Sequence, residues 1–301
     1  MATSPAGSSS IQTDQRRDHH IGILCGVLVV VLFSSFTLVS RLGFSSSLQL
    51  IDIAALRFLI SGVLMAPVLW HYGLSGVRWR DAAALAFCGG LGFALLALTG
   101  FSLAPASHGG VLLHGTLALT SFALSWMISR TSATKGRAVG LLAILAGIAA
   151  MTWDSVAASP RQLLGDGALL LASVAWSAFA LISRRLGLRP THAAAIVGVL
   201  SMCFLPVYLV LPGAGHTLVS ATRTELLLQA TFQGVLIGVA SPFLYSRAVA
   251  SLGAVETALF TAAVPCVTTV SAIFLLAELP SLAAIAGVIV VTLGMAVAMR
   301  N

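Results

Sequence analysis

Long apolar runs separated by short polar connections make up nearly the whole chain. Ten such runs lie at 20–40, 50–71, 82–101, 107–129, 137–155, 165–185, 191–212, 226–249, 253–277 and 280–299. A helix of about 20 apolar residues crosses the hydrocarbon core of a bilayer, and in lipid only helices and closed barrels satisfy every backbone polar group. The runs are continuous and do not alternate as barrel strands do. The pattern therefore predicts an all-α membrane protein with ten transmembrane helices, preceded by a disordered cytoplasmic tail over residues 1–18.

Composition excludes a water-soluble protein. Apolar residues make up 58% of the 301 residues and charged residues only 8%, whereas a soluble domain carries about 25% charged residues. The four cysteines all fall inside apolar runs, without the spacing of a metal site. We therefore expect neither a metal nor another cofactor.

Basic residues are distributed unevenly between the two sides of the predicted membrane protein. With the N-terminus in the cytoplasm, twelve of the 16 lysines and arginines lie on the cytoplasmic side and three, Arg41, Arg161 and Arg223, on the other side. Such an excess marks the cytoplasmic loops. It predicts cytoplasmic N- and C-termini and accounts for the net charge of +7 without a nucleic-acid partner.

Two similar sequence segments end the first and the sixth predicted spans. They read FSSFTLVSR at 33–41 and WSAFALISR at 176–184. A nearby offset of 147 residues places Gly140 and Gly147 over Gly287 and Gly294. The matches predict two five-helix repeats, at 19–155 and 165–300. Because five is odd, the second repeat enters the membrane from the opposite side, and such inverted repeats are typical of secondary transporters.

Three segments carry a resemblance to a known family. These are ALRFLISG (55–62), WSAFALISRR (176–185) and LGAVETALFTAAVPCVTTVSAIFLLAELPSLAAIAGVIVVTLG (252–294). The chain resembles the ten-helix EamA-type carriers of the drug/metabolite transporter superfamily, and most of all the bacterial exporters of aromatic and other neutral amino acids. The resemblance implies a transporter without enzymatic activity in the bacterial inner membrane. One departure is Ala118, which stands in the first repeat where Pro265 stands in the second.

Few ionisable residues fall inside the predicted spans. Arg57 could bind a carboxylate through two hydrogen bonds, or equally reach the membrane surface or pair with Asp52. His114 lies nearer to mid-depth and can exchange a hydrogen bond with a solute, although a histidine in a helix bundle is more often a packing residue. Glu256 is expected to cap the ninth helix.

Aromatic and hydroxylic residues complete the predicted site. Trp176 lies near the middle of its span, where it can stack on an apolar solute or simply pack, and Phe179 follows on the same helix face. The repeat pairs Phe33 with Trp176 and Ser34 with Ser177, and small hydroxylic residues also allow close helix packing. The predicted substrate-binding set is Trp176, Phe179, Phe33, Ser34, His114, Arg57, Tyr245 and Phe260. Kinks or gates are predicted at Pro242, Pro265 and Pro206, where proline removes a backbone donor.

These features predict an exporter of aromatic or neutral amino acids that works by alternating access between the two repeats. Its expected partners are a small-molecule substrate and the lipid bilayer, and a monomer is one expectation. Drugs, sugars and other metabolites stay open as substrates within the same superfamily. Two other classes also stay open, namely an intramembrane hydrolase with facing serine and histidine side chains and a passive channel.

Overall fold

The structure, a computed structural model, describes residues 6–45, 48–130, 132–252, 257 and 260–300. Within these residues the fold is helical, with no strand. The helices are α1 Ala6–Ser45, α2 Leu50–Tyr72, α3 Trp79–Leu103, α4 Ala106–Ile128, α5 Lys135–Ala158, α6 Pro160–Arg185, α7 Pro190–Val210, α8 His216–Ser220, α9 Arg223–Leu252, α10 Val264–Leu276 and α11 Leu282–Arg300.

The helices agree with the predicted all-α membrane architecture. Nine helices in the described part of the chain are long and apolar enough to cross a membrane, and α10 is a shorter apolar helix. α10 belongs to the predicted span 253–277, of which residues 253–256, with Glu256, and 258–259 lie outside the described residues. α1 begins at Ala6 and so runs through most of the predicted disordered tail 1–18. The predicted sidedness of the termini stays a prediction.

Side-chain caps begin several of these helices. The Ser159 hydroxyl accepts a hydrogen bond from the backbone N–H of Gln162, and Pro160 occupies the first turn of α6. Thr222 and Glu225 form a reciprocal capping box at the start of α9. These are preferred residues at helix starts, because they satisfy or omit backbone donors that have no partner within the helix.

The last helix of each repeat packs against the other along glycines. A Cβ on Gly140 would lie 2.4 Å from the backbone nitrogen of Ala298, and one on Gly294 would lie 2.8 Å from the carbonyl oxygen of Gly140. Gly147 and Gly287 make a second close approach about two helical turns further along the same helices. The glycines that revealed the repeat in the sequence therefore face one another across α5 and α11, where small residues let two backbones approach closely.

The other helices of the two repeats interleave. α1 packs on α9 and α10, α3 packs on α6, and α2 packs on α7 and α9. Each of these contacts joins a helix of the first repeat to a helix of the second. This arrangement leaves the middle of the molecule to be lined by both repeats.

Candidate functional site

A cavity of about 330 Å³ lies between the two repeats. Seven of its lining residues come from α1, α2, α3 and α4 of the first repeat, and three come from α6 and α9 of the second. Its lining is Phe33, Phe36, Arg57, Phe93, Leu113, His114, Leu117, Trp176, Ile237 and Ser241. We call it the central cavity.

Aromatic rings surround Phe33 in the central cavity. The ring of Phe33 stacks on the imidazole of His114 with centroids 4.9 Å apart, and it meets Trp176 edge-on at 6.2 Å. Tyr245 stacks on the same phenylalanine at 6.2 Å. Trp176 also packs on Phe93 at 4.8 Å. The structure thus brings together Phe33 and Trp176, the two residues that the repeat pairs.

Arg57 is held inside this aromatic lining. Its side chain is only 4% exposed, and its guanidinium carbon lies 5.2 Å from the ring centre of Phe36 and 5.8 Å from that of Phe93. Both distances suit a cation–π interaction. Extension of Arg57 to the membrane surface, one alternative from the sequence, is therefore wrong.

Pairing of Arg57 with Asp52, the other alternative, is also wrong. The Asp52 carboxylate accepts hydrogen bonds from the Tyr208 hydroxyl at 2.5 Å, from the Gly215 backbone N–H at 3.3 Å and from the Thr217 hydroxyl. These donors belong to α7, α8 and the residue before α8, so that Asp52 ties α2 to this region. Arg57 has no carboxylate partner among the described residues.

A second cavity of about 390 Å³ adjoins the first and shares Arg57, Trp176 and Ile237 with it. Phe179 and Pro242 of the predicted set line this adjoining cavity. Its wall also contains small residues from α3 and α7, namely Gly89, Gly90, Ala194, Gly198 and Ser201. Arg57 and Trp176 therefore border both cavities.

Three helices widen into π-helical turns beside these cavities. The π segments are Phe87–Leu91 in α3, Gly109–Gly115 in α4 and Ala230–Ala240 in α9. Each contributes lining residues, among them Gly90, His114 and Ile237. Such turns are rare and frequently mark functional sites. In the sequence the only sign of them is the glycines that they contain.

Pseudo-symmetric breaks lie in α4 and before α10, the second beside the kink predicted at Pro265. In α4 the helical pattern is interrupted by a turn at Thr116, and the second repeat has a turn at Ala262 and Ala263 before α10 begins. Thr116 and Ala263 are related by the repeat offset of 147 residues. Pro265 follows the second break, whereas Ala118 follows the first, so the break in the first repeat forms without proline.

The remaining predicted residues occupy other positions. Pro206 follows the turn that interrupts α7 at Met202 and Cys203. The Ser34 hydroxyl is buried and has no hydrogen-bond partner in the described structure. Phe260 packs over Gly26 of α1, two turns from Phe33, and does not line either cavity. Substrate contact by Ser34 and Phe260 stays a prediction.

Sequence reasoning missed several cavity residues. Phe36 and Phe93 form the cradle of Arg57, while Ile237 and Ser241 reach the central cavity from α9. Phe36 lies three residues from Phe33 and so shares its helix face, a signal that could have found it. Phe93 and Ile237 carry no comparable signal, because phenylalanine and isoleucine are ordinary in apolar helices.

An ion pair closes the bundle at the end where α1 stops. Arg41 and Glu278 contact each other at 2.5 Å and are both three-quarters buried. Arg41 also donates to the carbonyl oxygens of Phe101 and Ala104, and Glu278 accepts from the backbone N–H of Ala106 at 2.8 Å. The pair, which we call the Arg41–Glu278 clasp, joins α1 and α10 to the connection between α3 and α4.

Replacement of Glu278 by glutamine is expected to lower the unfolding midpoint of the detergent-solubilised protein by a few degrees. The change removes the ion pair and weakens the cap on α4, at an expected cost of about 1–2 kcal/mol, which corresponds to roughly 2–6 °C for a chain of this size. Differential scanning fluorimetry measures the shift. The control is Asp18→Asn, in an exposed pair with Arg247, which should leave the midpoint unchanged. An equal effect of both changes would contradict a special role of the clasp.

A buried His–Asp pair lies at the same end of the molecule. His108 Nδ1 lies 2.8 Å from Asp166 Oδ1, and both side chains are 1% exposed. The hydroxyl of Ser155 donates to the other oxygen of Asp166 and accepts from the Gln162 amide at 3.1 Å. Asp166 was not among the ionisable residues named in the predicted spans. A charged residue inside a predicted span is nevertheless a signal of a functional position.

The His108–Asp166–Ser155 geometry is unsuited to nucleophilic catalysis. A hydrolytic triad places the serine on one nitrogen of the imidazole and the carboxylate on the other. Here Ser155 Oγ and Asp166 Oδ1 both face Nδ1, at 3.5 and 2.8 Å. Among the described residues, no group of three or more His, Cys, Asp or Glu side chains is arranged to hold a metal ion.

Comparisons with known proteins agree with the fold. The model of the EamA-like transporter family matches twice, at residues 20–153 and 163–300, which confirms the two repeats. The search of curated proteins found no match. One solved crystal structure aligns with 93% of this chain and 97% of its own chain at a TM-score of 0.61 and 19% identity, a likeness that shows the fold alone. Because the two family matches together span most of the sequence, the chain belongs to the EamA-like transporter family.

Proposed function

We propose that this transporter exports small solutes with an aromatic or apolar body, amino acids of this kind first, across the bacterial inner membrane. The observation that carries the proposal is the central cavity. It lies between the repeats, is lined mainly by aromatic and aliphatic side chains, and holds one charged residue, Arg57. Apolar walls with a few polar groups are the usual composition of a site for a small organic molecule.

Alternating access between the repeats is the mechanism that we propose. The cavity walls come from both repeats, so that a rocking movement of one repeat against the other would change its access. The π segments of α3, α4 and α9 and the breaks at Thr116 and Ala263 give these helices places to bend. The Arg41–Glu278 clasp and the bonds to Asp52 hold one end closed, the end predicted to face outward.

The composition of the cavity supports an apolar solute over the alternative substrates. Sugars need several hydrogen-bonding side chains, whereas the central cavity offers Arg57, His114 and Ser241. A passive channel requires a continuous open path, whereas Phe33, His114 and Trp176 are each less than one tenth exposed.

Transport by purified protein in liposomes tests the proposal. The liposomes are loaded with unlabelled solute, and counterflow of labelled aromatic and aliphatic amino acids, sugars and amphipathic cations is compared with protein-free liposomes. Saturable counterflow of aromatic or apolar amino acids is the expected result. Uptake that rises linearly with concentration would indicate a channel, and counterflow restricted to sugars or to the cations would contradict the proposed substrate class.

Replacement of Trp176 by alanine is expected to reduce counterflow of the transported solute about tenfold or more. The indole contacts Phe33, Phe93 and Phe179, and loss of a central aromatic contact in a buried site costs about 2 kcal/mol. The matched control is Trp153→Ala, because Trp153 is 76% exposed in the structure and lies far along α5. Equal rates for the two variants at equal protein levels would exclude Trp176 from the solute path.

A further inference from the structure

Arg57 brings an uncompensated positive charge into the central cavity. No carboxylate among the described residues lines either cavity. The nearest carboxylate along the chain, Asp52, is occupied by Tyr208, Thr217 and the Gly215 backbone. Arginine stays charged in proteins, and a buried charge without a partner is costly. The positive charge of Arg57 therefore favours the binding of an anion in the central cavity.

Two buried hydrogen-bonding atoms of the cavity lining have no hydrogen-bond partner among the described residues. Arg57 Nη1 and His114 Nδ1 are both buried and have no hydrogen-bond partner in the described structure, although both side chains line the central cavity. A buried polar atom without a partner costs about 1–3 kcal/mol. A solute that supplies hydrogen-bond acceptors would recover this energy on binding.

Two further buried or half-buried carboxylates of the described residues are bound elsewhere. Asp166 is paired with His108 and Ser155, and Glu278 is paired with Arg41. On α9 the polar residues towards the clasp are Gln229 and Gln233, whose amides donate to the Val39 carbonyl and the Ser40 hydroxyl. None of these groups is a counter-charge for an ammonium inside the central cavity.

On the basis of the proposed transport function, we propose that the central cavity recognises an aromatic monocarboxylate and lacks a partner for an ammonium group. Arg57 binds the carboxylate, and the rings of Phe33, Phe93 and Trp176 enclose the aromatic body. A single arginine matches a single negative charge, and the planar guanidinium matches the geometry of a carboxylate. Phosphorylated solutes, with a larger charge, are disfavoured.

The amino group of an amino acid is a burden in such a site. An ammonium would lose its hydration on entering the cavity without gaining a carboxylate partner among the described residues, and a buried unpaired polar group is expensive. The aromatic faces that border Arg57, on Phe36 and Phe93, already interact with its guanidinium. The amino acid binds through the same carboxylate and so remains a substrate, but the deaminated acid with the same skeleton should bind more tightly.

Three probes that share a phenylethyl group test this inference. They are L-phenylalanine with both charged groups, 3-phenylpropionate with the carboxylate alone and 2-phenylethylamine with the ammonium alone. Binding to the purified full-length protein in detergent at neutral pH is measured by equilibrium dialysis, because the protonated acid can cross liposomes unaided. The expected order is 3-phenylpropionate about tenfold or more tighter than L-phenylalanine, with no saturable binding of the amine. Equal or tighter binding of L-phenylalanine, or saturable binding of the amine, would overturn the inference.

A variant of Arg57 tests whether this side chain binds the carboxylate. Arg57→Gln is expected to weaken 3-phenylpropionate binding about 10–100-fold, since a hydrogen bond to a charged group contributes about 1.5–3 kcal/mol. The neutral alcohol 3-phenylpropan-1-ol should keep its affinity in this variant, which shows that the cavity is intact. Arg130→Gln, an exposed arginine over Trp126, is the matched control and should bind as the unchanged protein does. Unchanged acid binding in Arg57→Gln, with the alcohol also still bound, would overturn the role of Arg57.

The inference and the proposed function fail in different ways. Counterflow of L-phenylalanine together with preferred binding of L-phenylalanine over 3-phenylpropionate would leave transport standing and overturn the carboxylate preference. Preferred and Arg57-dependent binding of 3-phenylpropionate without counterflow of any solute would retain the site and overturn transport.

Discussion

Replacement of Gly140 by leucine is expected to lower the unfolding midpoint of the solubilised protein by about 10 °C, the value for a loss of 3–5 kcal/mol in a chain of this size. A Cβ at this position would lie 2.4 Å from the Ala298 nitrogen and 2.6 Å from the Gly294 carbonyl oxygen. Both neighbours are backbone atoms, which cannot turn aside as a side chain does. α5 and α11 must therefore separate, and packing between closely spaced backbones is what holds membrane helices together.

Gly167→Leu is the matched control for Gly140→Leu. Gly167 lies within α6, and a Cβ there would meet no atom within 4 Å. Both variants remove a glycine from a helix and add the same side chain, so only the space differs. Differential scanning fluorimetry of the two proteins should show a large fall for Gly140→Leu and a small change of either sign for Gly167→Leu. Similar midpoints for the two would mean that the glycine contacts between α5 and α11 contribute little to stability.

The four glycines between α5 and α11 show how much of the helix packing could be predicted from the sequence. Spacing alone predicted that Gly140 and Gly147 correspond to Gly287 and Gly294, because an inherited repeat keeps its offset. Spacing does not reveal which helix each glycine contacts. The structure shows that these equivalent residues also touch one another, a consequence of the pseudo-symmetry that places the last helices of the two repeats side by side.

The central cavity was predicted in part for a similar reason. Phe33 and Trp176 were paired by the repeat, and the structure places both in the cavity wall. Phe36 shares the helix face of Phe33 and could have been found from that spacing, whereas Phe93 was missed because the face that α3 turns towards Arg57 depends on the rotation of this helix. The rotation of α3 changes at its π segment, Phe87–Leu91, because the wider turn shifts the helix face without following a fixed sequence period.

Asp166 was missed for a different reason, which concerns depth. It lies six residues into α6, near the end of its predicted span, where a carboxylate would ordinarily reach the membrane surface. The structure instead buries it against His108 and Ser155. Position along a span therefore does not determine burial, since neighbouring helices can cover a residue that lipid would leave near water.

Replacement of Asp166 by alanine is expected to lower the unfolding midpoint by about 5–10 °C. His108 Nδ1 and the Ser155 hydroxyl both lose their bond to the carboxylate, at about 1–3 kcal/mol for each group. The bonds also join α4 and α5 of the first repeat to the start of α6, so the loss is expected to loosen the junction between the repeats. Asp166→Asn keeps the shape and one acceptor oxygen, and its midpoint should fall between those of Asp166→Ala and the unchanged protein.

A surface carboxylate supplies the control for Asp166→Ala. Asp81 pairs with Arg78 at 2.9 Å, but Arg78 is 77% exposed, and exposed pairs contribute about 0–1 kcal/mol. Asp81→Ala should therefore shift the midpoint by no more than about 2–4 °C. A double variant, Asp166→Ala with Ser155→Ala, should be destabilised by less than the sum of the two single changes, because each change removes the same hydrogen bond. Strict additivity, or an Asp166→Ala shift as small as that of Asp81→Ala, would show that the buried cluster does not hold the junction between the repeats.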